Sequence, residues 1–206
     1  PFTDAQDANM PYHATEFPTQ GRQSGVKLRD LVGKDKDDPL WDTFMDQMTG
    51  EQMATLIGTG CYNTHAFEQY GIPHTVHGDG PVGFVDFLKS DLVKDREVCG
   101  YASACVTGAS WNKQLAYEMG IAYGNEALFG NGSEAYSGWY APGVNIHRSP
   151  FGGRNPEYYS EDGLLTGWMA ANTVKGATEM GCYTMVKHFV LNEQETNRNS
   201  NGILTW

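Results

Sequence analysis

The first apolar run with helical spacing follows Pro39, where Leu40, Trp41, Phe44, Met45 and Met48 recur at intervals of three and four residues. That spacing predicts a helix with Pro39 in its first turn. "TGEQ", Thr49 to Gln52, has the form of a capping box and predicts a second helix through Met53, Leu56 and Ile57. The methionines here read as core filler. Residues 1 to about 36 are polar, show little periodicity and end in "GKDKDD", which predicts a lead-in or linker lying outside the core.

Further on, "GIPHTVHGDGPVGF" reads as a short strand broken at Gly78, with Asp79 at the strand's end in a Gly-Asp-Gly-Pro turn. A helix is predicted from Asn112 through Leu115, Met119 and Ala122, and "GWYAPGVNI" has the continuous apolar character of a buried parallel strand. "HRSPFGGRNPEYYSED" is too rich in polar residues, Gly and Pro for a regular element. A helix resumes after Ser160, which can cap it, with Glu161 and Asp162 favouring its positive end and Leu164, Trp168, Ala171 and Val174 as its inner stripe. "CYTMVKHFVL" is the next strand. Helices alternating with strands, and long polar loops at the strand ends, predict an α/β sheet or barrel whose functional groups gather at the carboxyl edge. No internal repeat is evident.

Composition narrows the function. At 206 residues and 40% apolar content the chain can bury a core, as one domain or most of a larger one. Its 14 Lys and Arg stand against 25 Asp and Glu, a formal charge of −11, which repels phosphate backbones and anionic bilayers. No nucleic-acid or membrane partner is expected. No basic-then-apolar leader or bilayer-length apolar run is visible, which leaves the compartment open and slightly favours the cytoplasm. Cys61, Cys99, Cys105 and Cys182 form no C-x-x-C pair and read as buried thiols, while His74 and His77, three apart on a strand, point to opposite faces and make a poor metal pair. Neither a metal nor an organic cofactor is implied. The 12% aromatic residues can fill a core or stack on sugar faces, and the core is the default.

The strand ends carry the chemistry: Asp79 after the first strand, Arg154 in the loop after the second, and Lys187 with His188 at the third. Such ends converge in a barrel. A carboxylate that accepts from two adjacent hydroxyls, faced by Lys, Arg and His donors, suits a polyhydroxylated ring. Two plainer readings stand beside this: Asp79 as the acceptor of a turn, and Arg154 and Lys187 as partners of Glu157, Glu161 and Glu195 in a network that only holds loops.

"APGVNIHRSPFGGRNPEYYSED" and "VKHFVLNEQETNR", with "DGPVG" upstream, closely resemble the first half of the catalytic barrel of glycoside hydrolase family 3, in its β-glucosidase and β-xylosidase branch. The likeness covers roughly residues 37 to 206. It implies an incomplete (β/α)8 TIM-type barrel, in which residues matching Asp79, Arg154, Lys187, His188 and Arg198 grip the non-reducing-end sugar, with Asn192, Glu195 and Asn197 as loop supports. Many relatives carry an Arg where this chain has Val85, and the residues after "KHF" differ from those of the family's N-acetylglucosaminidases. Retaining hydrolysis takes two carboxyl groups about 5 Å apart. The family's nucleophile is an Asp in an "SDW"-like motif, which does not occur here, so nucleophile and acid/base are both expected outside this sequence.

The resemblance thus implies the sugar-binding portion of a retaining, exo-acting β-glycosidase, a β-glucosidase above all, acting on β-glucosides or β-linked oligosaccharides. The alternative is a non-catalytic sugar-binding or interaction module on the same fold. A complete barrel takes about 250 residues, so these 206 are expected to hold a part of one, inactive alone. Its open sheet edges favour association with itself or with the missing half.

Overall fold

The computed structural model describes residues 19–85, 96–130, 135–189, 192–195 and 197–198. They form two compact units, one comprising the described residues up to Gly60 together with His65–Pro73, the other Cys61–Thr64 and the described residues from His74 onward.

The first unit is helical. Helix α1 (Leu40–Met45) starts directly after Pro39, and α2 (Gly50–Gly58) starts at the expected capping box. There the Gln52 N–H donates to Thr49 Oγ1 at 3.2 Å and the Thr49 N–H to Gln52 Oε1 at 2.9 Å. Leu31, Phe44, Met48, Phe67 and Ile72 form the buried core, with Val26, Leu28, Leu40, Trp41, Met53 and Leu56 packed against it. Two expectations are corrected. Val26, Leu28 and Leu31 join this core, so the end of the stretch read as a polar lead-in is structural; its first 18 residues lie outside the described ones. Ile57, placed on the inner face, is 82% exposed, because α2 ends one residue later and turns its last side chains outward.

The second unit carries a four-stranded sheet in the order β1 (Asn63–Thr64), β2 (Thr75–Asp79), β3 (Tyr136–Tyr140), β4 (Tyr183–Thr184). Strand β1 is antiparallel to β2, while β2, β3 and β4 are parallel neighbours in sequence order. Helices α3 (Ala104–Ala109) and α4 (Lys113–Phe129) lie between β2 and β3 in the chain, and α5 (Gly163–Glu179) between β3 and β4. Parallel strands joined in order through helices are the repeating unit of an α/β barrel, and this partial sheet is the incomplete TIM-type barrel the sequence led us to expect. Strand β2 is not broken at Gly78 but runs through it to Asp79. No Cβ could sit there, since one would stand 2.3 Å from the Phe84 ring.

The helices bury a different face from the one read in the sequence. On α5, Leu164 is 61% exposed and Trp168 also faces outward, while Leu165, Thr166, Met169, Ala170, Thr173, Gly176 and Ala177 are buried. On α4 the buried face is Ala116, Gly120, Tyr123, Gly124 and Ala127, and Leu115 is exposed. These two helices pack backbone against backbone: a Cβ on Gly120 would lie 2.2 Å from the Thr173 carbonyl oxygen, and one on Gly176 would lie 2.2 Å from that of Tyr117. Small residues win the inner face because close approach requires them. Asp162, not Ser160, caps α5, its Oδ1 accepting from the Leu165 N–H at 2.6 Å.

Between the helices and the sheet lies an aromatic core of Phe84, Tyr123, Tyr136 and Trp139, with Val76 and Cys182. The cysteines divide: Cys182 is buried as expected, Cys105 is half-buried, and Cys61 and Cys99 are exposed, in loops that leave their thiols at the surface. Strand β4 is shorter than the run "CYTMVKHFVL", whose Val190 and Leu191 lie outside the described residues. Among the described residues no helix is long and apolar enough to cross a membrane.

Candidate sugar-binding site

Asp79 is the last residue of β2, and Gly80 turns the chain away at φ +101°, a conformation that only glycine adopts readily. The Gly80 N–H donates to Asp79 Oδ1 at 2.7 Å, so the turn contact of the plainer reading is present. It is not the whole role of the side chain. Lys187 Nζ donates to the same oxygen at 2.5 Å, and the Tyr62 hydroxyl donates to Oδ2 at 2.8 Å. Burial acts to raise the Asp79 pKa, but the hydrogen bond and charge of Lys187, with Tyr62 and Gly80, outweigh it and hold the carboxyl below the usual range.

Lys187 follows β4. Its N–H donates to the Pro142 carbonyl at 3.1 Å and its carbonyl accepts from the Val144 N–H at 2.6 Å, which carries the parallel pairing of β3 and β4 beyond the strands proper. Pairing to this point is what brings the ammonium group level with the end of β2. Val85 makes two backbone hydrogen bonds with Asp79, and its side chain is 54% exposed.

His188 is fixed by Asn145, a buried residue of "PGVNI": Asn145 Oδ1 accepts from the His188 N–H at 2.9 Å and stands 3.2 Å from the ring Nδ1. The Tyr158 hydroxyl lies 3.1 Å from the same ring nitrogen and donates to the Asn192 carbonyl at 3.4 Å. An oxygen already committed to the backbone N–H can only accept, so Nδ1 carries the hydrogen and Nε2 is left as an acceptor. Burial, then the charges of Arg154 and Lys187, push the His188 pKa down to about 4, so the ring is neutral near pH 7.

Arg154 and Arg198 form the other side of the array. Arg154 grips Glu157 with two parallel bonds, Nε to Oε1 at 2.7 Å and Nη2 to Oε2 at 2.6 Å, and its Nη1 lies 3.5 Å from Glu195 Oε1. Arg198 Nη1 donates to both oxygens of Glu195, at 3.0 and 2.8 Å. Burial would lower the Arg154 pKa, but its pair with Glu157 raises it overall, so the group stays cationic. The loop network foreseen with Glu157 and Glu195 therefore exists, without Glu161, which is exposed at the start of α5. Among the described residues, three of the five N–H groups on Arg154 have a partner, which leaves one on Nη1 and one on Nη2.

The five residues thus lie in two adjoining groups. Asp79 and Lys187 touch; His188 follows Lys187 in the chain and feels the charges of Arg154 and Arg198; and the two arginines share Glu195. Cations and carboxylates alternate, an arrangement that suits a neutral ligand rich in hydroxyls better than an anion. No group of three or more metal-ligating side chains occurs among the described residues. A cavity of about 280 Å³ lined by Cys105, Trp111, His147, Tyr159, Glu161 and Leu165 contains none of the five. Three supporting residues escaped the sequence reading: Asn145 and Tyr158, which sit inside the quoted motifs, and Tyr62, which no pattern marked.

Comparison with known proteins gives the family. Residues 63–201 match the model for the glycosyl hydrolase family 3 N terminal domain. Beta-glucosidase A of Butyrivibrio fibrisolvens is 38% identical over 164 residues, covering 76% of this chain and 19% of that protein. The structure of beta-glucosidase 3B from Thermotoga neapolitana, in complex with glucose, superposes with a TM-score of 0.55 at 35% identity, over 66% of this chain and 18% of that one. A beta-glucosidase from Paenibacillus barengoltzii gives 0.64 at 28% identity, over 86% of this chain and 19% of that one. The chain therefore spans about a fifth of the length of the relatives it matches. With its parallel strands ending in this array of acceptors and donors, and with two thirds of its length matched, the chain belongs to glycosyl hydrolase family 3, as part of that family's N-terminal domain.

Proposed function

We propose that this chain is the sugar-gripping part of a retaining, exo-acting β-glucosidase, with residues 37–206 as the N-terminal part of its barrel. The observation that carries the reading is the contact of Lys187 with Asp79 at the ends of parallel strands, beside His188 and the Arg154–Glu195–Arg198 group. The relatives are named beta-glucosidases, and several neighbouring structures hold glucose. Both favour a β-glucoside as the substrate of the whole protein.

The roles follow from the chemistry of each group. Asp79 accepts from a hydroxyl, Lys187 and the open N–H groups of Arg154 donate to ring oxygens, and His188 Nε2 accepts. These contacts orient the ring so that its anomeric carbon faces the reacting carboxylates. Three donors occupy all but one of the lone-pair directions of Asp79, which suits it to holding a hydroxyl. Glu157 and Glu195 are neutralised by arginine. Nucleophile and proton donor come from residues outside this sequence, and the covalent glycosyl-enzyme step is theirs.

An assay of the chain with a chromogenic aryl β-glucoside, in parallel with the complete polypeptide, tests this. We expect turnover only from the complete polypeptide. Turnover by the 206 residues alone would overturn the assignment of the reacting carboxylates, and none from either would favour the non-catalytic module.

A further inference from the structure

One short stretch of chain beyond β3 reaches both groups of the array. At Gly143 and Val144 it pairs with Lys187, and at Asn145 it holds His188. Two residues on, the half-buried His147 reaches the loop that carries Arg154.

The His147 ring is fixed against backbone. Its Nε2 lies 2.9 Å from the Asn155 carbonyl oxygen and 3.0 Å from that of Tyr158, and its backbone N–H donates to the Ser160 carbonyl at 3.0 Å. Carbonyl oxygens only accept, so Nε2 carries the hydrogen and shares it between the two. Asn155 follows Arg154 in the chain and Tyr158 follows Glu157, so the imidazole holds the backbone next to each member of the Arg154–Glu157 pair. The segment between them is a single turn of 3₁₀ helix, Asn155–Glu157, closed by the Glu157 N–H on the Arg154 carbonyl at 2.9 Å and the Tyr158 N–H on that of Asn155 at 3.1 Å. A turn so short does not hold its shape by its own hydrogen bonds.

Tyr158 adds the link to the other group. Its side chain is buried and its hydroxyl stands 3.1 Å from His188 Nδ1. A shift of the turn would therefore displace Arg154 and the partner of His188 together. The stretch beyond β3 lies this close to the turn because Gly143 has no side chain: a Cβ there would stand 2.6 Å from the Glu157 carbonyl oxygen.

Resting on the sugar-binding reading above, we propose that His147 is a positioning residue of the site: through the carbonyls of Asn155 and Tyr158 it sets the Arg154 fork in place relative to His188, without touching the sugar itself.

Two amides separate this role from mere bulk. In glutamine the side-chain nitrogen reaches about as far as Nε2 and brings two N–H donors, whereas in asparagine it stops near the position of Nδ1. Glucose affinity is measured by titration calorimetry for the unaltered chain, His147→Gln and His147→Asn, each also in an Arg154→Lys background. The Arg154 Nε–H signal is followed by NMR in the sugar-free chains, with thermal melting as a check of folding. His147→Asn is expected to lower glucose affinity by about tenfold, the loss also expected of Arg154→Lys, and His147→Gln to recover most of it. In the Arg154→Lys background the asparagine change costs little more, because the fork it serves is already gone. The Arg154 signal moves in His147→Asn, while that of the Gly80 N–H, which is bonded to Asp79, keeps its position. Full additivity of the two changes, equal losses in both amides, unaltered affinity in His147→Asn, or an Arg154 signal that stays in place would overturn the role of His147 and leave the sugar reading standing. If the unaltered chain does not bind glucose at all, the sugar reading falls and this inference falls with it.

Discussion

Lys187 Nζ lies 2.5 Å from Asp79 Oδ1 across 108 residues of chain, and joins the end of β2 to the segment that continues β4. The side chains are 14% and 17% exposed, so each charge has given up most of its water and depends on the other. Removing one partner leaves a nearly buried charge uncompensated, which is the costly half of such a pair.

Lys187→Met is therefore expected to lower stability by about 2–3 kcal/mol, somewhat under the value for a fully buried pair. The double variant Asp79→Asn, Lys187→Met recovers part of the loss, because no lone charge remains. Urea unfolding of the three proteins measures this. A Lys187→Met chain as stable as the parent would show that the pair contributes little to the fold.

Acid should weaken the fold in two steps of the same sign. His188 has its pKa pushed to about 4, first by burial and then by Arg154 and Lys187, while an unfolded His titrates near ~6.5. Between those values the unfolded chain holds a proton that the folded chain lacks, so stability falls as pH falls through this window. Asp79 acts lower down: its stabilisation is complete above the ordinary Asp value of ~3.9 and is lost as pH drops through its depressed folded value. Replacing His188 by Gln is expected to flatten the slope of unfolding free energy between pH 6.5 and 4 by up to one proton. His77, also lowered by burial and by His74, keeps its share of that slope. An unaltered slope in the variant would contradict the buried, neutral His188.

Arg154→Lys tests the planar fork. Lysine cannot reproduce the paired bonds to Glu157 and still present N–H groups to a ligand. Glucose affinity is expected to fall by about tenfold, while the Arg198–Glu195 pair keeps the loop in place. Affinity equal to the parent's would remove Arg154 from the site.

Gly120→Ala is expected to destabilise the chain by about 1–3 kcal/mol or more, because its Cβ would lie 2.2 Å from the Thr173 carbonyl oxygen. Chemical denaturation gives the value directly, and a neutral substitution would show that α4 and α5 do not pack as closely as described.

That crossing also explains where the sequence misled. Leu164 and Trp168 look like the inner stripe of α5 because they are large and apolar, yet the helix turns Thr166, Ala170, Thr173 and Gly176 inward to let two backbones meet. Hydrophobic periodicity reports which side chains shed water, not which allow close approach. The strand ends were legible for the opposite reason: Asp79, Lys187 and His188 stand where an apolar run stops, and charge there is costly unless it is matched. Tyr62 was not legible, since its reach to Asp79 depends on a left-handed backbone turn that no spacing announces.

The most direct test of sugar recognition is a glucose titration of the isotope-labelled chain, followed by the NMR signals of Asp79, Lys187 and His188, alongside Asp79→Asn. The account predicts saturable shifts at all three residues in the parent, and their loss in the variant. Shifts that spare these residues, or identical curves for both proteins, would contradict it.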